Sequence, residues 1–224
     1  MISIEKDCTG CMACMNCCPV GAITQETDRY GFIMPKIHED RCIDCGLCQR
    51  VCPLGKAKKT EPLRAYAMYH QSRQVVETSS SGGVFYALAS LALKENGIVF
   101  GCCYNEKEKQ ACLSDTDHVP LERLLRSKYV ESFVGYGFQR VKKELETGRQ
   151  VVFCATPCQA AGLASYLGRP YENLLIVDFT CGAVTAGKCL RDHLEKLEKK
   201  LGAPLSSLNF RDKHYGWGAV LPDR

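Results

Sequence analysis

Cys8, Cys11, Cys14, Cys18 and Pro19 recur as Cys42, Cys45, Cys48, Cys52 and Pro53, each 34 positions later. This doubled C-x-x-C-x-x-C-x-x-x-C-P pattern constrains the chain more than any other feature. Two copies are too few for a solenoid, so the repeat predicts a small module with internal pseudo-twofold symmetry. Thiolates this closely spaced can ligate neighbouring corners of one metal cluster, while the fourth cysteine of each copy serves the opposite one. The expected sets are Cys8, Cys11 and Cys14 with Cys52 on one 4Fe-4S cluster, and Cys42, Cys45 and Cys48 with Cys18 on a second. Structural zinc is the competing reading. It usually takes two C-x-x-C pairs separated by a finger, without a third cysteine at the same short spacing. Cys17, beside Cys18, is expected to be a bystander, with a ligand swap at that corner as the alternative. Gly10, Ala13, Gly21, Ala22 and Gly46 are small enough to let backbone N–H groups approach sulfur, one lever on cluster potential.

Sixteen cysteines in 224 residues is about 7%, close to the level of a secreted disulfide scaffold. Their placement argues otherwise. Nine lie within positions 8–52, and no signal-peptide pattern stands before them. A reducing, cytoplasmic compartment is expected. The longest apolar run, 83–93, stops at Lys94-Glu95, so no membrane span is predicted. The net charge of +4 is mild. The Lys56-Ala57-Lys58-Lys59 run has no flanking aromatics and reads as a solvated linker, not a nucleic-acid contact.

That polar linker divides the chain into a module at 1–60 and a larger unit at 64–224. In the first, β-formers and turn residues at 30–37 suggest a short hairpin. In the second, 64–70, 97–104, 150–154, 174–179 and 207–211 read as strands. The stretches 82–95, 120–126, 137–146, 157–167 and 186–201 read as helices. The expected fold is an α+β ferredoxin-like two-cluster module followed by an α/β domain long enough for its own core.

No G-x-G-x-x-G or Walker loop is present. Two polar turns at helix starts remain. Glu77-Thr78-Ser79-Ser80-Ser81-Gly82-Gly83 suits an anion such as pyrophosphate, or is an ordinary serine cap. Cys154-Ala155-Thr156-Pro157-Cys158-Gln159 puts Cys158 in a first helical turn, placed for thiolate chemistry or metal ligation, or simply buried.

Together with Ser127-Lys128-Tyr129-Val130, Thr180-Cys181-Gly182, and Asn209-Phe210-Arg211-Asp212-Lys213 with Gly216-Trp217, these turns form an ordered set. The set resembles the beta subunit of coenzyme F-420 hydrogenases and dehydrogenases, in the version fused to an N-terminal two-cluster ferredoxin. The resemblance implies an iron–sulfur flavoprotein. Ser80, Ser81, Gly82, Gly83, Lys128, Tyr129, Thr156, Pro157 and Gln159 would line an FAD, with Lys128 as a cation beside phosphate or flavin. Cys158 and Cys181 match two of four ligands of a third 4Fe-4S cluster. The other two come from a downstream C-x-x-C that this sequence lacks, and the chain is expected to be C-terminally truncated.

Cys102, Cys103 and Cys112 read as core packing, and Cys154 and Cys189 carry no assignment. Of the histidines only His214, beside Arg211-Asp212-Lys213, stands near a motif. No catalytic residue is assigned. The expected function is an oxidoreductase subunit that passes electrons between the clusters and an FAD exchanging hydride with a small molecule or deazaflavin-like coenzyme. The alternative is a non-catalytic electron relay docking a redox partner, and a metal-dependent sensor stands third.

Overall fold

The computed structural model describes residues 7–54 and 64–210. Lys56, Lys58 and Lys59, and the residues 211–217 that include His214, lie outside them.

The N-terminal part runs α1 (Ala13–Cys17), β1 (Ile23–Thr27), β2 (Ile33–Ile37), a 3-10 turn at Glu39–Arg41, and α2 (Leu47–Val51). The two strands pair antiparallel, Ile23 opposite Ile37 and Thr27 opposite Ile33. The Asp28 carboxylate closes the hairpin by accepting from the Tyr30 and Phe32 amides at 2.8 and 2.9 Å, a local bond that aspartate makes readily in turns.

The two cysteine repeats share one backbone. Gly10 (φ 65°) and Met12 (φ 62°) are left-handed in the first copy, and Asp44 (φ 54°) and Gly46 (φ 72°) in the second. The positions correspond, but the glycine sits at the first place in one copy and the second in the other. Each copy thus carries one non-glycine residue in a conformation that costs it about 1–2 kcal/mol. Both short helices start from the second of these residues and end at a cysteine in extended conformation, Cys18 and Cys52.

The remainder is α3 (Arg73–Thr78), α4 (Val84–Lys94), β3 (Ile98–Asn105), β4 (Gln110–Asp115), α5 (Leu121–Leu124), β5 (Ser132–Phe133), α6 (Gly137–Glu146), β6 (Val151–Ala155), α7 (Pro157–Leu167), β7 (Leu174–Asp178) and α8 (Gly187–Leu201). Its sheet has the order β5-β4-β3-β6-β7. Strands β3, β6 and β7 are parallel, whereas β4 runs antiparallel to β3 with β5 parallel to it. The sheet is therefore mixed. Residues 64–70 pair with no strand. Tyr66, Met68 and Tyr69 there are exposed, and the His70 amide donates to the Gly82 carbonyl at 2.7 Å. Residues 207–210 form no strand either.

Helix α4 covers one sheet face, packing Ala89 and Ala92 on Val99, Val152 and Leu124. On the other face Phe138, Val141 and Leu163 of α6 and α7 meet Ile98, Phe100 and Phe153. The same cluster contains Met12, Ala13, Met15, Ile23 and Ile33. One hydrophobic core is thus shared by the cysteine-rich part and the sheet. Among the described residues no helix is long and apolar enough to cross a membrane.

Candidate metal centre

The two cysteine repeats meet different surroundings. In the first, Met12, Ala13, Cys14, Met15 and Asn16 are all buried. In the second, α2 buries no residue, Ile43 is 60% exposed and Cys45 is exposed. Asn16 locks the first copy in place. Its Nδ2 donates to the carbonyls of Met12 (2.9 Å) and Gly135 (2.8 Å). Its Oδ1 accepts from the Gln139 amide at 3.3 Å, and its own carbonyl accepts from Gln139 Nε2 at 2.9 Å. Asn16 thereby satisfies an N-terminal N–H of α6, one of the donors a helix leaves open. A second clasp is Glu131, which accepts from the amides of Ile33 (2.7 Å) and Gly187 (3.4 Å) and so ties the hairpin to the start of α8.

Around the first copy the backbone at Gly10, Ala13 and Met15 lies near enough to the sulfurs of Cys8, Cys11 and Cys14 to favour their thiolates. Cys8 and Cys11 both lie within electrostatic reach of Cys52, and Cys14 within reach of Cys8 and Cys11. These four are the expected first set. Burial pushes the Cys11 thiol up to about 11 and Cys14 to about 12, and neighbouring sulfurs add to the rise. Four such anions packed together need positive charge among them, which iron supplies to a coordinating thiolate. Crowded thiols with backbone N–H groups near them suit an iron–sulfur cluster.

Cys17 belongs beside the second set. It lies within electrostatic reach of Cys48, Cys18 and Cys45, and burial above all pushes it up to about 12. Its Sγ contacts the Cys14 carbonyl at 3.3 Å, and Cys18 Sγ accepts from the Ala22 amide at 3.2 Å. Among the described residues no three His, Cys, Asp or Glu side chains converge as ligands of a single metal ion. A four-iron cluster asks for a wider spread, because each cysteine binds a separate iron.

Helix α7 connects this region to the sheet. A Cβ on Gly162 would lie 3.1 Å from both Cβ and Sγ of Cys11, so the helix approaches that cysteine as closely as glycine permits. One turn earlier, Cys158 lies within electrostatic reach of Cys11. Thr156 caps α7 with Pro157 behind it, a start pre-set by proline geometry, and its hydroxyl is 3.2 Å from Cys158 Sγ. Gln159 is buried, and its amide donates to the Ser132 carbonyl at 2.9 Å.

The Thr156 turn follows β6, and Thr180-Cys181-Gly182 follows β7. Ala155 pairs with Asp178, so the two turns are neighbours at the carboxyl edge of the parallel strands, where open α/β sheets bind ligands. Cys181 is exposed. Lys128 reaches this edge electrostatically at Cys102, Cys103 and Cys154. Ser80 Oγ joins the remaining turn, accepting from the Ser127 amide at 2.6 Å and lying 3.0 Å from the Ser127 hydroxyl. The Thr156 and Cys181 turns thus share one edge, and Ser80 adjoins the Ser127–Lys128 segment whose lysine reaches that edge electrostatically.

Other contacts of these residues are local. The Lys128 ammonium donates to the carbonyls of Arg123, Leu125 and Arg126 at 2.9, 2.6 and 3.1 Å, and burial lowers its pKa. Gly82 and Gly83 admit the chain at 68–70 and Val75: a Cβ would lie 2.7 Å from the Met68 carbonyl and 2.9 Å from Val75 Cγ1. Ser81 and Tyr129 are exposed.

Sequence reasoning missed Asn16, Glu131 and Gly162. Only Gly162 left a trace, as a glycine inside a helix one turn after Cys158. No curated protein matches the chain. Residues 7–56 match the model of a 4Fe-4S dicluster domain, so the N-terminal part of the chain is an iron–sulfur electron-transfer domain.

Proposed function

We propose that the chain is an iron–sulfur flavoprotein oxidoreductase subunit with an outer and an inner cysteine set. Cys42, Cys45, Cys48 and Cys18 would hold the outer 4Fe-4S cluster and face a redox partner. Cys8, Cys11, Cys14 and Cys52 would hold the inner one against α7. The carboxyl edge of β3, β6 and β7, with Ser80–Gly83, Lys128, Tyr129 and Thr156–Gln159 about it, would receive an FAD. A bound flavin supplies the conversion between single electrons and hydride, here with a small molecule or deazaflavin-like coenzyme as its partner. The observation that carries this reading is Cys158. It stands both at that sheet edge and within electrostatic reach of Cys11, one short step from the inner set to the flavin edge.

A non-catalytic relay is the second reading. It is favoured by Lys128, whose three donors already meet three carbonyls. Flavin content separates the two. Anaerobically purified protein should release FAD on acid treatment, whereas iron–sulfur absorbance with no releasable flavin would leave the relay. Iron and sulfide counts bear on Cys158 and Cys181. About eight iron atoms per chain fit two clusters, and about twelve would require a third.

A further inference from the structure

Cys103 and Cys112 face each other across the β3–β4 ladder as a directly opposed antiparallel pair. Their sulfurs are 3.4 Å apart. Directly opposed residues in such a ladder have Cα atoms about 4.5–5.5 Å apart, inside the roughly 4.4–6.8 Å window that a disulfide needs. Bond formation therefore asks the sulfurs to close and leaves the strands where they are. Cys103 is buried, while Cys112 is only partly covered, which gives the pair an inner and an outer member. Both pack with Leu121 and Leu124 of the four-residue α5. Two cations, Lys128 and Arg123, lie within electrostatic reach of Cys103.

We propose that Cys103 and Cys112 are a reversible two-electron thiol–disulfide site, oxidised by a small-molecule disulfide. The site is independent of the metal and flavin assignments. Cys112, the accessible member, attacks one sulfur of the small disulfide as its thiolate and expels one small thiolate. Cys103 then attacks the Cys112 sulfur, forming the cross-strand bond and expelling the second small thiolate. Two protein thiols are oxidised and one small disulfide is reduced to two thiols: the Cys112 proton passes to the first leaving thiolate and the Cys103 proton to the second, by way of solvent. Thiolate character supports the chemistry, since attack requires the anion. The Cys112 thiol hydrogen bond, aided by Lys128 and Arg123, lowers the Cys103 pKa, while the same shared proton and burial raise that of Cys112. Once the pair loses the first of its two protons, the second, shared across the 3.4 Å contact, can sit on Cys103, which frees Cys112 to react. Simple core packing explains neither the direct register nor the sulfur contact.

The test uses anaerobic, cluster-loaded protein incubated with oxidised glutathione, quenched in acid and alkylated. Lys107 and Lys109 separate the two cysteines, so trypsin yields a cross-linked peptide pair that mass spectrometry identifies directly. The cross-link should rise from background to most of the chains, return to background with dithiothreitol, and leave the iron content unchanged. Cys103→Ser should replace it by a glutathione adduct on Cys112, and Cys112→Ser should abolish both. Recovery of Cys103 and Cys112 as separately alkylated peptides from wild-type protein after oxidation would overturn the proposal. So would a cross-link that forms only as iron is lost. The wild-type mapping stands without the variants if either fails to fold.

Discussion

The two cysteine repeats have nearly the same backbone and opposite environments. The first presents Met12, Ala13, Met15 and Asn16 to α6 and α7 and is buried with them. At the same positions the second has Gly46, Leu47, Gln49 and Arg50 and buries no residue of its helix. The motif therefore dictates local geometry, and the residues between the cysteines decide how deeply each copy docks: of the second, Cys48 and Val51 are only partly buried against the core. On the proposed cluster assignment, this difference in burial would set an inner electron position apart from an outer one.

Paired substitutions break this comparison most directly. Met15→Ala should cost about 2–5 kcal/mol by emptying a packed core position, while the matching Gln49→Ala should stay within about 0.5 kcal/mol. Denaturant midpoints of the anaerobic proteins read the difference, and equal losses would mean that the copies do not differ in docking. Asn16→Ala is next. It strips the Gly135 carbonyl and the Gln139 amide of a partner, which for buried groups costs about 1–3 kcal/mol. Arg50→Ala, at the matching and exposed position, should cost less.

Gly162→Ala probes the approach of α7 to Cys11. The added Cβ meets Cys11 and also lies 3.3 Å from Phe138 Cε2, an overpacking worth about 1–3 kcal/mol. Reductive titration followed by electron paramagnetic resonance should show one cluster signal altered and the other intact. Equal disturbance of both would refute a contact of Gly162 that acts on Cys11 alone.

The smallest effect is a pH dependence in the Glu131 clasp. Burial raises its carboxyl pKa, opposed by the Ile33 and Gly187 amides. The folded chain therefore holds that proton to higher pH than the unfolded chain. Its contribution to stability is full below the ordinary glutamate value of about 4.3 and falls as pH rises through the raised one. Glu131→Gln should flatten this part of the stability–pH curve. An unchanged slope would place the titration elsewhere.

Much of the architecture was legible because it is periodic. Helices α6 and α7 begin and end where the apolar spacing puts them, and β3, β6 and β7 fall within a residue or two of theirs. Strand β4 was missed although Gln110–Asp115 alternates in burial; polar residues and a cysteine dilute its apolar signal. Residues 64–70 carry β-formers but find no partner strand, since propensity cannot supply a neighbour. Helices α1 and α2, five residues each, are too short for any periodicity. The metal-ligand candidates stood out through spacing alone. The clasps did not, because Asn16–Gly135, Ile33–Glu131 and Cys11–Gly162 each join residues about a hundred or more positions apart.

Cys158 lies within electrostatic reach of Cys11, in the first copy. Cys11→Ser and Cys45→Ser should each alter a different cluster signal in a potentiometric titration monitored by electron paramagnetic resonance, which labels the inner and outer sites. Cys158→Ala should then shift the midpoint of the signal marked by Cys11→Ser and leave the other in place. A shift confined to the Cys45→Ser signal, or none in either, would contradict the account.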